Sequence, residues 1–334
     1  MIYAGGMARR SPTLEGFRLM WSSPSLGVAE IAWRWSFWAA AWFLVLFAAR
    51  EYFDSLTVGG GDMFLLRSRQ PVLVSKALSH IFRGTSMRVT VGACVLLVTL
   101  SAAWVVVAAL GRAVSLREIL LHFRPGGHAA VSLRALLGIH FLRTALILTA
   151  LIGVVAAVLA AGAVTSPGDP SPGSAIIAFF AVLFVVVWIW SWLNWMLSLA
   201  TIFAADGRDT FGAIGAAVHM CGTRSGPVAA VSTWFGLVHI VGWFAATSVV
   251  AFPLGFAPVL PAGMVLGGVL FVTLLYFAVV DYLYIGRLAA YVAILELPEA
   301  ATVLGNDAAR PSFMPLTPSG RVDPDELILS DVPV

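Results

Sequence analysis

The sequence predicts an all-α fold: a polytopic membrane helix bundle of about six transmembrane helices, with short interfacial amphipathic helices between them. Three observations predict it. Mean hydropathy is +0.93 and only 11% of the residues are charged, against about 25% in an ordinary soluble domain. Ser174–Ala205 runs for 32 residues without a charge, roughly 48 Å of helix at ~1.5 Å per residue, where a bilayer core needs about 20 residues. Five further apolar runs of similar character are separated by polar, Pro/Gly-rich or amphipathic segments.

Taken in order, Met1–Leu26 is polar and carries Arg9, Arg10 and Arg18. Within it Leu14, Phe17, Leu19, Met20 and Trp21 suit a short helix lying along the membrane surface. Trp33–Ala49 is the first span. Its long polar lead and four tryptophans set it apart from a cleavable secretory signal. Arg50–Arg88 is the longest internal loop, opening at Gly59-Gly60-Gly61-Asp62, read as a flexible turn. Leu73, Val74, Ala77, Leu78, Ile81 and Phe82 then oppose Lys76, Ser79, His80 and Arg83, the pattern of an interfacial helix.

Val89–Leu110 is the second span, Gly111–Arg134 a basic loop, and Ala135–Val164 the third span. Thr165–Gly173 is a tight Pro/Gly/Ser turn before the fourth span. Asp206–Gly226 follows, with a small-and-apolar stretch at Phe211–Met220 and Asp209 placed to cap the helix from Thr210 onward. Pro227–Phe252 is the fifth span, and Pro253–Pro261 a second short turn. Ala262–Ile285 is the sixth span, continuing as helix to about Glu296 before the stop at Pro298. Residues 1–297 thus form one transmembrane domain. Residues 298–334 form an acidic, Pro-rich tail of net charge −4, expected to be disordered.

Charge placement orients the chain. With the N-terminus in the cytoplasm, the inside segments hold thirteen arginines and the two short outside turns hold none, as the positive-inside rule requires. The loop 50–88 runs against it, with six basic residues outside. The localisation expected is a bacterial inner membrane, multi-pass, with the N-terminus cytoplasmic. The basic character belongs to span borders and anionic lipid headgroups, so membrane lipids are the expected partners and nucleic acid is not. Cys94 and Cys221 give no disulfide framework.

Ionisable residues within spans are costly, at least ~2.5–3.5 kcal/mol at mid-bilayer, so their placement carries information. Arg34, His140, Arg143, Asn194, Ser198 and Asp281 form a candidate polar layer in the cytoplasmic half of the bundle. Glu30 and Arg34 make an i,i+4 pair at the entry of the first helix. On the fourth helix Ser191, Asn194, Ser198 and Thr201 share one face, expected to point inward with Trp188, Trp192 and Trp195 packed beside it. Asp281 is expected to pair with Arg143 or Arg34, and Asn194 to hydrogen-bond into the group. Such a layer serves either as a structural network, helped by snorkelling and polar packing, or as a binding cavity or conduction path. His239 alone reads as a packed histidine. Gly263-x-x-x-Gly267 permits close helix approach. No metal or cofactor motif is present, and no nucleophile elbow, phosphate loop or zinc-protease motif.

Two motifs carry a family resemblance: Leu14-Glu15-Gly16-Phe17-Arg18-Leu19 ahead of Pro24, and the segment Asp209–Gly226 leading into a span. With the element lengths, they resemble bacterial six-helix membrane families similar to the membrane domain that accompanies some glycerophosphoryl diester phosphodiesterases. The resemblance implies a membrane module acting in the envelope, often with a partner. It brings no phosphodiesterase activity, because no catalytic domain accompanies it. Two functions follow: a non-enzymatic accessory or scaffold module that docks a protein partner through the tail at Leu327-Ile328-Leu329, or a transporter or lipid-handling protein that uses the polar layer. The absence of a clear repeat and of a proline interrupting a span favours the first.

Overall fold

A computed structural model describes residues 11–68, 70–124, 131–165, 172–256 and 259–296, which fall into one compact unit ending at Glu296. The tail 298–334, residues 125–130 of the basic loop and most of the turn 165–173 lie outside the described residues. Among the described residues there are ten α-helices: α1 (Pro12–Ser22), α2 (Pro24–Asp54), α3 (Gly60–Arg67), α4 (Pro71–Ile81), α5 (Ser86–Phe123), α6 (Leu133–Val164), α7 (Pro172–Ala204), α8 (Thr210–Thr223), α9 (Ser225–Gly255) and α10 (Ala262–Glu296). Six of them, α2, α5, α6, α7, α9 and α10, are long and apolar enough to cross a membrane. The protein is therefore an integral, multi-pass, all-α membrane protein.

The bundle has two unlike halves. Its fully buried large side chains include Leu116 on α5, Ile139 on α6, Leu199 on α7 and Ile285, Leu288 and Tyr291 on α10. All lie toward the end at which α2 begins, α5 and α7 finish, and α6 begins. This end, the base, also holds α1 and α8. Beyond it the spans form arms. The α6–α7 and α9–α10 pairs pack as hairpins, while α3 and α4 join α2 to α5. No more than 11% of the most apolar stretch of any span is buried. On α5, Val95, Leu97 and Val98 are all exposed, and at 100° per residue they point around most of the helix. Such surfaces are stable only where the solvent is lipid.

Several elements differ from expectation. The lead helix α1 is docked on the protein, with Leu19 and Met20 buried and Leu14 and Trp21 exposed. Gly16 makes this possible, because a Cβ there would run into the Gly286 carbonyl and Ala290 of α10. The Tyr282 hydroxyl donates to the Met20 carbonyl and fixes the end of α1. The glycine turn at 59–62 is the start of α3: Asp62 accepts from the Gly59 N–H at 3.1 Å and contacts His80 Nδ1 of α4 at 2.9 Å, tying the two short helices together. The basic loop from Gly111 is helix as far as Phe123, because Arg112, Leu116, Ile119, Leu120 and Phe123 keep helical spacing and bury one face. Pro253 lies inside the last turn of α9, where its missing N–H releases a single carbonyl close to the helix end. Asp209 does cap α8, accepting from Gly212 N–H at 3.2 Å.

Candidate functional site

Where the arms meet the base, charged and polar side chains from five helices converge. The stretches of α5, α6, α7 and α10 between the far end and this level are uncharged over about 20 residues each, the thickness of a bilayer core. Arg112, Arg143 and Asn194 lie roughly 15 Å from the base ends of their helices at ~1.5 Å per residue. The layer therefore marks the border between lipid-facing arms and protein-packed base.

Glu30 is its innermost carboxylate, fully buried. It takes Arg112 Nη2 at 2.7 Å, Ser115 Oγ at 2.9 Å and Trp33 Nε1 at 3.0 Å. Arg34 Nε lies 2.7 Å from Glu30 as an ion pair, and Arg34 Nη1 donates to Asp281. Trp35 Nε1 donates to the second Asp281 oxygen at 3.3 Å. Arg143 goes elsewhere: its Nε donates to Asn194 Oδ1 at 3.1 Å and its Nη1 to the Tyr284 hydroxyl at 3.2 Å. The Tyr284 ring lies 4.5 Å from the guanidinium carbon of Arg112, 5.0 Å from that of Arg34 and 5.3 Å from that of Arg287, a cation–π arrangement. Four guanidiniums thus surround one tyrosine.

Of the residues expected in the layer, the structure joins Arg34 to Asp281 and Arg143 to Asn194. It does not join Arg143 to Asp281. His140 is buried within reach of the charges of Arg143, Arg112 and Arg34, yet its Nε2 has no hydrogen-bond partner. Ser198 and Thr201 are buried but bond the Asn194 and Ser198 carbonyls of their own helix. Ser191, Trp188 and Trp192 are exposed, so the inward stripe begins only at Asn194, where the helix enters the base. Trp195 alone of the three packs inward, donating to Ser232 of α9 and Tyr291 of α10 at 3.2 and 3.1 Å. His239 contacts the Tyr276 hydroxyl at 3.3 Å.

Arg112, Ser115, Tyr284 and Arg287 are members that sequence reasoning passed over. Arg112 falls in the stretch 111–134 expected as a basic loop; the apolar spacing through Leu116 and Ile119 is the signal that the helix continues. Gly111 lets the Trp33 ring lie against α5, and Trp33, Phe37 and Trp38 gather around Trp104 at 5.0–5.8 Å on the arm side.

The charge balance is unequal. The layer holds Arg34, Arg112, Arg143 and Arg287 but two carboxylates, Glu30 and Asp281, and these pair with Arg34 and Arg112. Arg112 is 1% exposed, and its Nε and Nη1 have no partner; Thr144 Oγ1 and Arg287 Nε are likewise buried without one. Unmet buried donors on a cation are costly, and an anion accepting from them would relieve that cost. Among the described residues no group of three His, Cys, Asp or Glu could hold a metal ion. A second charged cluster closes the base: Arg124 binds Asp206 at 3.1 Å and Glu296 at 2.5 Å, and these bonds, the Glu296 one foremost, raise its pKa further. Arg224 donates to the Ile294 carbonyl. Both cysteines are free. No family model, curated protein or solved structure matches this chain.

Proposed function

We propose that this integral membrane protein belongs to the lipid-handling or transport class and binds an anionic group at the arginine layer. One observation carries the reading: the layer holds four arginines and two carboxylates, only Arg34 and Arg112 pair with those carboxylates, and Arg112 keeps two N–H donors that the protein leaves unmet. A purely structural network would be expected to balance its charges and spend its donors internally. The setting proposed is a bacterial inner membrane with the base toward the cytoplasm, supported by the arginines that crowd the base end and by the resemblance of the segments at 14–19 and 209–226. Heating purified protein in neutral detergent, with and without inorganic phosphate or phosphatidylglycerol, tests the site. Saturation at a hundred times Kd stabilises by about 2.7 kcal/mol, a shift of several degrees. No shift with either anion would falsify the binding reading.

A second reading, the accessory or scaffold module, has its own support. Glu30 takes bonds from Trp33 and Arg34 of its own helix and from Arg112 and Ser115 of α5, so that part of the layer acts as a lock between α2 and α5. A protein partner recovered in stoichiometric amount from native membranes, with no lipid retained, would favour it.

A further inference from the structure

We propose that the anion taken by the arginine layer is the headgroup of a membrane amphiphile, a phosphate- or carboxylate-bearing lipid, which enters sideways from the bilayer along the seam between α2 and α10. This rests on the reading that the layer binds an anion, and it assigns that anion's chemical class and route.

Depth is the first support. The layer sits at the base end of uncharged stretches of about 20 residues, which is where the headgroups of one leaflet lie. A soluble anion arriving from the base would have to cross the packed core. There Leu116, Ile139, Leu199, Ile285 and Leu288 are each no more than 1% exposed, and the Arg124 cluster ties the helix ends together behind them. The side toward the lipid is different. The Arg34–Asp281 pair is the open edge of the charged core, with side chains 19% and 13% exposed, while Glu30 and Arg112 behind it are sealed. One turn toward the arm from Arg34 stands Trp38, and one turn toward the arm from Asp281 stands Phe277. Each lies on the side of its helix that carries the pair, and both are exposed. They make an apolar approach for acyl chains that ends at charged donors.

The chemistry at the end of this approach fits a monoanionic or dianionic oxygen group. Arg112 Nε and Nη1, Arg287 Nε and His140 Nε2 are all buried and without partners. Guanidinium N–H groups are strong, directional donors to phosphate and carboxylate oxygens. The Tyr284 hydroxyl accepts from Arg143. Because Arg112 lies sealed behind the Arg34–Asp281 pair, a headgroup reaches its spare donors when that pair opens.

The test uses full-length protein, delipidated in maltoside micelles and titrated with phosphatidylglycerol, phosphatidylcholine or inorganic phosphate. Bound lipid is counted by native mass spectrometry, and occupancy is followed by thermal unfolding. Phosphatidylglycerol is expected to bind at least about tenfold more tightly than phosphatidylcholine, the worth of one hydrogen bond to a charged group, with inorganic phosphate neither stabilising nor competing. The double variant R143Q/R287Q leaves Glu30, Asp281 and their partners intact and should lose about tenfold in phosphatidylglycerol affinity. W38A/F277A should weaken lipid binding, read as a smaller lipid-induced rise above that variant's own unliganded melting temperature. Inorganic phosphate matching the lipid would overturn the amphiphile and leave the anion site standing. Equal binding of the two lipids, or unchanged binding by R143Q/R287Q, would overturn the headgroup assignment. No binding of any of the three would overturn the underlying function as well.

Discussion

Base and arms are built from the same six helices, yet they obey different rules. In the base, Leu288 and Ile285 of α10 are sealed among α1 and the neighbouring helices. Twenty residues earlier on the same helix, Leu266 and Leu270 are exposed. Apolar side chains gain by leaving water, but they gain little by leaving lipid tails for one another. The arms can therefore stand apart at no cost, whereas the base must close. The difference teaches where stability resides: a handful of buried contacts and the charged layer tie together spans whose arms pack chiefly as the α6–α7 and α9–α10 hairpins. It also places the polar layer at the seam between two solvents, where one flank is lipid and the other is protein.

The largest expected effect comes from unbalancing the layer. Arg112→Met leaves Glu30 buried with one cation fewer, and should cost about 3–5 kcal/mol, read as loss of a folded, monodisperse peak in detergent. The pair Glu30→Gln with Arg112→Met should be less damaging than Arg112→Met alone; if it is worse, the two residues are not partners in the way the geometry indicates. The base-versus-arm contrast is sharpened by one substitution made twice on α10. Leu288→Ala should cost about 2–5 kcal/mol in SDS unfolding, and Leu266→Ala no more than about 0.5 kcal/mol. Equal losses would mean that the arms pack more than their exposure suggests.

A smaller loss is expected from Gly16→Val, which pushes a side chain into the close approach of α1 and α10 and should cost about 1–3 kcal/mol. Hydrogen exchange should rise in α1 while α6 and α7 are unaffected, because α1 packs chiefly on α10, with α9 and α2 beside it. The smallest effect belongs to Arg124→Gln. Its partners are partly solvated, so the loss should stay below about 1 kcal/mol and should shrink further as salt is raised.

How much could be read from sequence follows the same division. Spans show themselves because lipid demands uninterrupted apolar length, and all six were legible with boundaries within a few residues, apart from the extra turns of α2 and α5. The i,i+4 pair of Glu30 and Arg34 was legible for the same local reason. The partner of Asp281 was not, since Arg34 and Arg143 both lie at suitable depth and only the rotation of α6 about its axis sends Arg143 toward Asn194 and Tyr284. Arg112 was hidden by Gly111, which looks like a helix end in isolation and is in fact the seat of the Trp33 ring. Trp188 and Trp192 were drawn inward by their spacing beside Asn194, although that part of α7 is still arm and faces outward. His140 was legible as a polar residue in a span, but nothing local says that it would lack a partner.

By itself, then, the sequence determined what each segment is: six apolar lengths, amphipathic connectors, a cap at Asp209, and a set of charges that lipid would not tolerate unpaired. These are consequences of composition and periodicity, which act within one helix. Only the tertiary structure decided that α1 docks onto α10 through Gly16, that the core gathers at one end, and that four arginines surround Tyr284. Those outcomes depend on helix rotation and on contacts between residues far apart in the chain, such as Arg34 with Asp281, which no local pattern encodes.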